Sequence, residues 1–220
     1  MEVVAEAGWS EVADAFGALA SARLRPEPPD LTDRRADLRG DHALDPAGHL
    51  PGQDEPPRTA AVLVPVVAHP EGPTVLMTER ASTLRQHSGQ IALPGGKMDP
   101  GDPTPLAAAL REAEEEVGLD PGRARPLGYL DPYLSGTNFF IVPVVALVRP
   151  GFELVLNRAE VESAFEVPLA FLMDEQNHEL HARALLDRVR TYYAIPFGSR
   201  YIWGVTAGIL RNMYERLYGP

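Results

Sequence analysis

Three carboxylates, Glu112, Glu115 and Glu116, fall within the run Arg-Glu-Ala-Glu-Glu-Glu-Val-Gly-Leu at 111–119. At about 100° per residue, Glu115 and Glu116 lie at about 300° and about 40° from Glu112, so one helical turn would hold all three within an arc of roughly 100°. Like charges at these spacings destabilise an isolated helix by roughly 0.2–0.5 kcal/mol per pair, and Glu114 adds a fourth negative charge close by. A divalent cation would relieve that repulsion. Hard ions such as Mg²⁺ take oxygen ligands and are usually shared between a few carboxylates and substrate phosphates. The competing reading of such a run is a solvated acidic face with arginine partners.

The helix that must carry these acids has clear ends. Asp102 or Thr104 can cap it, Pro103 or Pro105 suits its first turn, and Gly118 can take the left-handed position that closes it. Leu106, Ala109, Leu110, Ala113 and Val117 occupy an arc from about 60° to about 160°, which gives the helix a packing face beside its acidic one. Gly95-Gly96 reads as a turn just before it, flanked by Arg80, Arg85 and Lys97, which are placed to hold a small polyanion.

These residues resemble the Nudix box, a loop–helix–loop that binds metal and a diphosphate. Arg111, Glu112, Ala113, Glu115, Glu116, Gly118 and Leu119 match its second half at every defined position. The first half departs from it, because Gly96 and Arg111 are separated by one residue more than in the general box, so Asp99 or Asp102 must stand where the box has a glutamate. The stretch Leu76-Met77-Thr78-Glu79-Arg80-Ala81, then Arg85, Gly89 and Leu93-Pro94-Gly95-Gly96, is similar to the signature before the box in the coenzyme A pyrophosphatase branch of the Nudix hydrolases. That branch also carries the longer box.

The resemblance implies an α/β fold of the Nudix type: an α/β/α sandwich with a mixed β-sheet, here with an added N-terminal and C-terminal helix. It implies metal-dependent hydrolysis of the diphosphate of coenzyme A or its thioesters, giving 3′,5′-ADP and 4′-phosphopantetheine or its acyl derivative. The alternatives are the same chemistry on ADP-ribose, NADH or another nucleoside diphosphate derivative, or a binding module of the same fold without catalysis. The cofactor implied is Mg²⁺ or Mn²⁺, held by Glu112, Glu115 and Glu116 with the carbonyl of Gly96. Arg80 and Arg85 would recognise the coenzyme A phosphates, with Lys97 beside them.

Diphosphate hydrolysis needs cations to neutralise the phosphates and a base to activate water. Glu160, in the polar loop Asn157 to Glu162, is the favoured base over Glu162, with Glu115 or Glu116 acting as both ligand and base as the rival. Arg111 is expected to orient a carboxylate of the box rather than touch substrate, because successive helix positions point in different directions.

Composition sets bounds on the rest. With 220 residues the chain suits one sizeable domain with extensions, divided here into residues 1–57, an N-terminal helix and proline-rich extension, and residues 58–220, the catalytic domain. A formal charge of −11 argues against nucleic-acid binding, which needs a basic surface. With no cysteine there is no disulfide, thiolate metal site or cysteine nucleophile. Gly95-Gly96-Lys97 lacks the rest of a P-loop, and the six histidines include no HExxH. The N-terminus lacks the basic and apolar regions of a secretory signal, and the longest apolar stretch, Phe139 to Val148, is well below the roughly 20 residues that span a bilayer. A cytoplasmic protein acting on a small molecule, away from membranes, is the expectation.

Residues 9–24 read as an amphipathic helix capped by Ser10, packing on the core or on a second copy in a homodimer, and 25–58 as an extended linker. Strands are expected over 61–68, 74–78, 126–133, 138–148 and 152–156, a short helix over 167–174, a hairpin over 178–196 and a helix over 203–218. Tyr192, Tyr193, Phe197, Tyr201 and Trp203 would form either a wall for adenine or pantetheine or part of the core.

Overall fold

The computed structural model describes residues 11–32, 38–44, 56–84, 87–185 and 188–219. Its centre is a parallel pair, β1 (Arg58–Val67) and β7 (Phe139–Val148), in register from Arg58 opposite Phe139 to Val67 opposite Val148. Both are near-continuous apolar runs, as strands covered on both faces require. Odd positions of β1 (Ala61, Leu63, Val67) and even positions of β7 (Phe140, Val142, Val144) pack against one helix, α2 (Pro105–Val117), through its Ala108, Ala109, Ala113 and Val117. Positions of the opposite parity, including Ala60, Val64, Ile141 and Val145, pack against α1 (Glu11–Arg23) and α4 (Val205–Tyr218). The molecule is therefore an α/β/α sandwich.

Around the central pair, β2 (Thr74–Arg80), β3 (Ile91–Ala92), β4 (Gly95–Lys97), β5 (Ala124–Tyr129), β6 (Tyr133–Leu134) and β8 (Val161–Pro168) complete a mixed sheet. A short helix, α3 (Leu169–Leu172), leads to a second, three-stranded sheet of β9 (Glu179–Leu185), β10 (Arg188–Phe197) and β11 (Arg200–Trp203). Ile195 and Ile202 bury one face of this second sheet in the core shared with α4.

Three expectations are corrected. Gly95-Gly96 is not a turn: both lie in β4, paired antiparallel with β1 through Gly96 opposite Ala61. Residues 152–156 are not a strand; Val155 and Asn157 give their N–H groups to the carbonyls of Val117 and Glu116, so the segment docks on the last turn of α2. The end of the expected 157–162 loop and the start of the expected 167–174 helix belong instead to β8, which pairs along β2, with Ser163 Oγ donating to Glu79 at 2.9 Å and Glu166 taking Thr74 and His69. The proposed cap Ser10 and the arginine Arg85 lie outside the described residues.

The N-terminal segment is tied to this chain's own body. Ala13, Phe16 and Ala20 of α1 are buried in the core, and Arg25, Arg39 and Arg216 converge on Asp131, whose side chain is 8% exposed, at 3.0, 3.6 and 3.7 Å. Among the described residues no helix is long and apolar enough to cross a membrane.

Thr104 caps α2 by accepting from Ala107 N at 3.1 Å, Pro105 opens it, and Gly118 closes it at φ 70°. A Cβ on Gly118 would lie 2.9 Å from Val155 Cβ, in the segment that leads to Glu160. Gly118→Ala is expected to destabilise the protein by about 1–3 kcal/mol, the cost of a side chain forced into the left-handed region. Urea unfolding measures this, and an unchanged midpoint would refute it.

Candidate active site

α2 presents its acids toward β4, but not equally. Glu116 is 4% exposed, and its carboxylate takes the Gly95 N–H at 3.3 Å. Glu112 packs its carboxyl so closely on Gly96 that a Cβ there would lie 2.6 Å from it. Glu115 is 58% exposed and turned aside, with Arg111 Nη1 donating to it at 3.1 Å. Among the described residues no three acids or histidines converge as a ready-made metal cage.

Arg111 is the organiser of this corner. Its Nε and Nη2 fork onto Asp102 at 3.1 and 3.0 Å, while Nη2 also reaches Glu112 at 3.0 Å and the Lys97 carbonyl at 3.2 Å. This bidentate geometry is the strong form of the guanidinium–carboxylate pair. Of the two aspartates before the helix, Asp102 takes the fork, and Asp99 stays exposed at 3.8 Å. The hydrogen bond from Arg111 holds the Asp102 carboxyl below its ordinary range, and Arg111 is itself held more firmly protonated.

Glu160 enters the same field from the start of β8. Its backbone N–H is bound by the Asn157 carbonyl, its own carbonyl takes Ala81 N at the end of β2, and Asn157 Nδ2 donates to its carboxylate at 3.2 Å. Burial pushes the Glu116 carboxyl up to about 7, partly offset by the Gly95 N–H and raised further by Glu112 and Glu160, with Arg80 opposing. Burial raises Glu112 as well; Arg111 lowers it, and Glu115 and Glu160 add to the rise. One buried carboxylate with a single N–H partner, Glu116, and one half-buried carboxylate shared with Arg111, Glu112, with Glu160 electrostatically close to both, are oxygen donors of the kind a hard cation takes.

Beyond β4 lies a cleft of about 390 Å³. Its floor is the sheet face opposite α2, with Ala60 and Val62 of β1 and Phe139 and Ile141 of β7. Arg80, Lys97 and Arg190 line it, and no acidic side chain does among the described residues. In a chain of net charge −11 this is a local concentration of cationic side chains. Arg80 Nε is buried without a hydrogen-bond partner among the described residues. Gly95, Gly96 and Lys97 are the wall shared by cleft and acids.

Arg190, His87, Thr137 and Trp203 in this cleft were not singled out as site residues by the sequence, apart from Trp203 in its aromatic group. Their signal is positional: Arg190 and Tyr192 share a face of β10, and Trp203, opposite Ala194, stands on that face too. Tyr192 meets Trp203 edge-on at 5.3 Å, so part of the aromatic group does border the cleft.

Acids on one helix, set against a glycine strand at the mouth of a cleft lined by cationic side chains, define an α/β protein with a carboxylate cluster beside a cationic cleft. A family model described as the NUDIX domain matches residues 57–189. The chain is 40% identical over 163 residues, 73% of its length and 85% of its relative's, to a Photorhabdus laumondii protein named as an uncharacterised Nudix hydrolase, NudL. It is 39% identical over 163 residues to the NudL of Yersinia pestis, covering 80% of that protein and 73% of this one. Among solved structures, RenU, a Nudix hydrolase from M. smegmatis, aligns at a TM-score of 0.46 and 27% identity over 55% of this chain and 76% of that one. The chain belongs to the Nudix hydrolase family, whose members generally use divalent metal ions.

Proposed function

We propose that this chain hydrolyses the diphosphate bond of coenzyme A and its thioesters, releasing 3′,5′-ADP and 4′-phosphopantetheine or its acyl derivative. The observation that carries the reading is the junction at Gly95 to Lys97, where Glu112 and Glu116 pack on one side of β4 and the other side opens into a cleft lined by Arg80, Lys97 and Arg190 and by no acidic side chain among the described residues. The stretch from Leu76 to Gly96 supports coenzyme A within the family.

Glu112 and Glu116, with Glu115 swung from Arg111 and the Gly96 carbonyl, would hold Mg²⁺ or Mn²⁺, which when bound neutralises phosphate charge and acidifies water. Arg80 and Lys97 hold the diphosphate in place, and Arg85 is assigned the same task from the sequence alone. Arg111 is a positioning residue that fixes the 97–102 loop against the helix through Asp102 and the Lys97 carbonyl. Glu160 takes the proton of the attacking water, since its carboxylate acts on both Glu112 and Glu116 and is assigned no metal, whereas Glu115, once released from Arg111, is taken up as a metal ligand.

A substrate panel with added Mg²⁺ or Mn²⁺ and product identification tests this. Coenzyme A is expected to exceed ADP-ribose and NADH in kcat/KM by about tenfold or more, the discrimination a site gains from polar groups that the wrong substrate leaves unpaired. Equal rates across the panel would reject coenzyme A as the substrate.

A further inference from the structure

We infer that Arg190 is a specificity residue that reads a second phosphate, a monoester apart from the scissile diphosphate. The inference rests on the reading of the cleft as a nucleotide diphosphate site, and it deepens that reading by assigning the wall that the second sheet supplies.

Arg80 and Lys97 stand where the cleft meets the carboxylates. The third cation is contributed by a different part of the fold. Arg190 lies on β10, just past the end of the family match at residue 189, in the second sheet. The rest of that wall, Trp203 to Thr206, also follows the match. Arg80 on β2 and Lys97 on β4 thus come from the first sheet, and Arg190 and the wall at Trp203 to Thr206 from the second sheet and the start of α4.

The guanidinium has a built seat. It rests on Gly136, where a Cβ would lie 2.9 Å from Nη2 and 3.0 Å from Nη1. The turn beneath it is fixed: Ser135 N donates to the Phe139 carbonyl at 2.9 Å, Asn138 N donates to the Ser135 carbonyl at 3.1 Å, and buried Ser135 Oγ takes Phe139 N at 3.1 Å. Thr137, exposed on the same turn, places its hydroxyl 3.1 Å from Ser135 Oγ at the cleft rim. A planar guanidinium packed against this turn, in a cleft that Thr137 also lines, suits the oxygens of a phosphate monoester. The apolar floor and Trp203 line the same cleft as the three cations and would cover the nucleoside that joins the phosphates. In the coenzyme A reading the second phosphate is the 3′ group of the ADP half.

Calorimetric binding of adenosine 3′,5′-bisphosphate and of AMP tests Arg190 without turnover. The wild type is expected to favour the bisphosphate by about 10- to 100-fold, the range for charge-assisted hydrogen bonds to one phosphate. In Arg190→Gln the ratio should fall to near one, and Arg190→Lys should keep part of it. Gly136→Ala, which pushes the guanidinium off its seat with no change of charge, should lower the ratio as well. Absence of a preference in the wild type, or a preference kept in Arg190→Gln, overturns the inference. Turnover of coenzyme A against dephospho-coenzyme A separates this from the parent reading: a wild type that prefers the bisphosphate through Arg190 but cuts no coenzyme A retains the inference and rejects the substrate, and the reverse pattern does the opposite.

Discussion

Glu116→Gln is expected to lose at least about 10²-fold in kcat, comparable to the loss of other single groups that stabilise transition-state charge, while making the metal-free protein more stable above neutral pH. The two effects share one cause. Glu116 is 4% exposed, and its main compensation is one N–H at 3.3 Å. Such a group is poorly kept as an anion without a cation beside it, which is what suits it to hold one.

The sign of the pH effect follows from the two ionisations. Below about pH 4.5 the carboxyl is protonated whether the chain is folded or not. As pH rises the unfolded chain ionises first, and the folded chain only on passing about 7, so stability is lost across that window and the deficit is constant above it. A difference from 4.5 to about 7 corresponds to about 3 kcal/mol. In EDTA at pH 8, Glu116→Gln should therefore melt roughly 5–10 °C above the wild type, and at pH 4 the two should nearly coincide. Added Mg²⁺ or Mn²⁺ should raise the wild-type melting temperature and leave the variant where it was. A variant that hydrolysed like the wild type, or melted with it at pH 8, would remove Glu116 from the metal site.

The unequal burial of the three acids was partly readable from the helix. Glu116 sits at about 40°, next to the apolar arc that begins at about 60°, whereas Glu115 at about 300° faces away from it. The ends of α2 were readable for the same local reason, since Thr104, Pro105 and Gly118 act through their own backbone. Where the sequence reading failed, the deciding partners were distant. Phe152 to Leu156 has the composition of a strand, yet its backbone groups are taken by the end of α2. Val161 to Pro168 does not look like one, because Ser163 and Glu166 interrupt it, and these polar residues are satisfied by Glu79, Thr74 and His69 across the sheet. Arg190 carried no motif at all. Its meaning comes from the register of β10 and from the bare backbone of Gly136 beneath it, neither of which is a property of neighbouring residues in the chain.

Glu160→Gln should lose about 10² to 10⁴ in kcat, the range that general base catalysis supplies, and Glu115→Gln should lose no more than about tenfold. The contrast decides where the base resides. Glu115 is mostly exposed, and Arg111 holds it at 3.1 Å on the solvent side of α2, so a proton taken there would have to displace an ion pair. Glu160 raises both Glu112 and Glu116 electrostatically, and Asn157 Nδ2 donates to its carboxylate at 3.2 Å. Neutralising it removes one negative charge from the cluster but no metal ligand, so metal affinity should fall, though much less in Glu160→Gln than in Glu116→Gln. Metal titrations followed by kcat at saturating metal separate the two roles. A Glu160→Gln enzyme that regains wild-type kcat at high metal would make Glu160 an electrostatic neighbour, and a Glu115→Gln loss as large as that of Glu160→Gln would return the base to the helix.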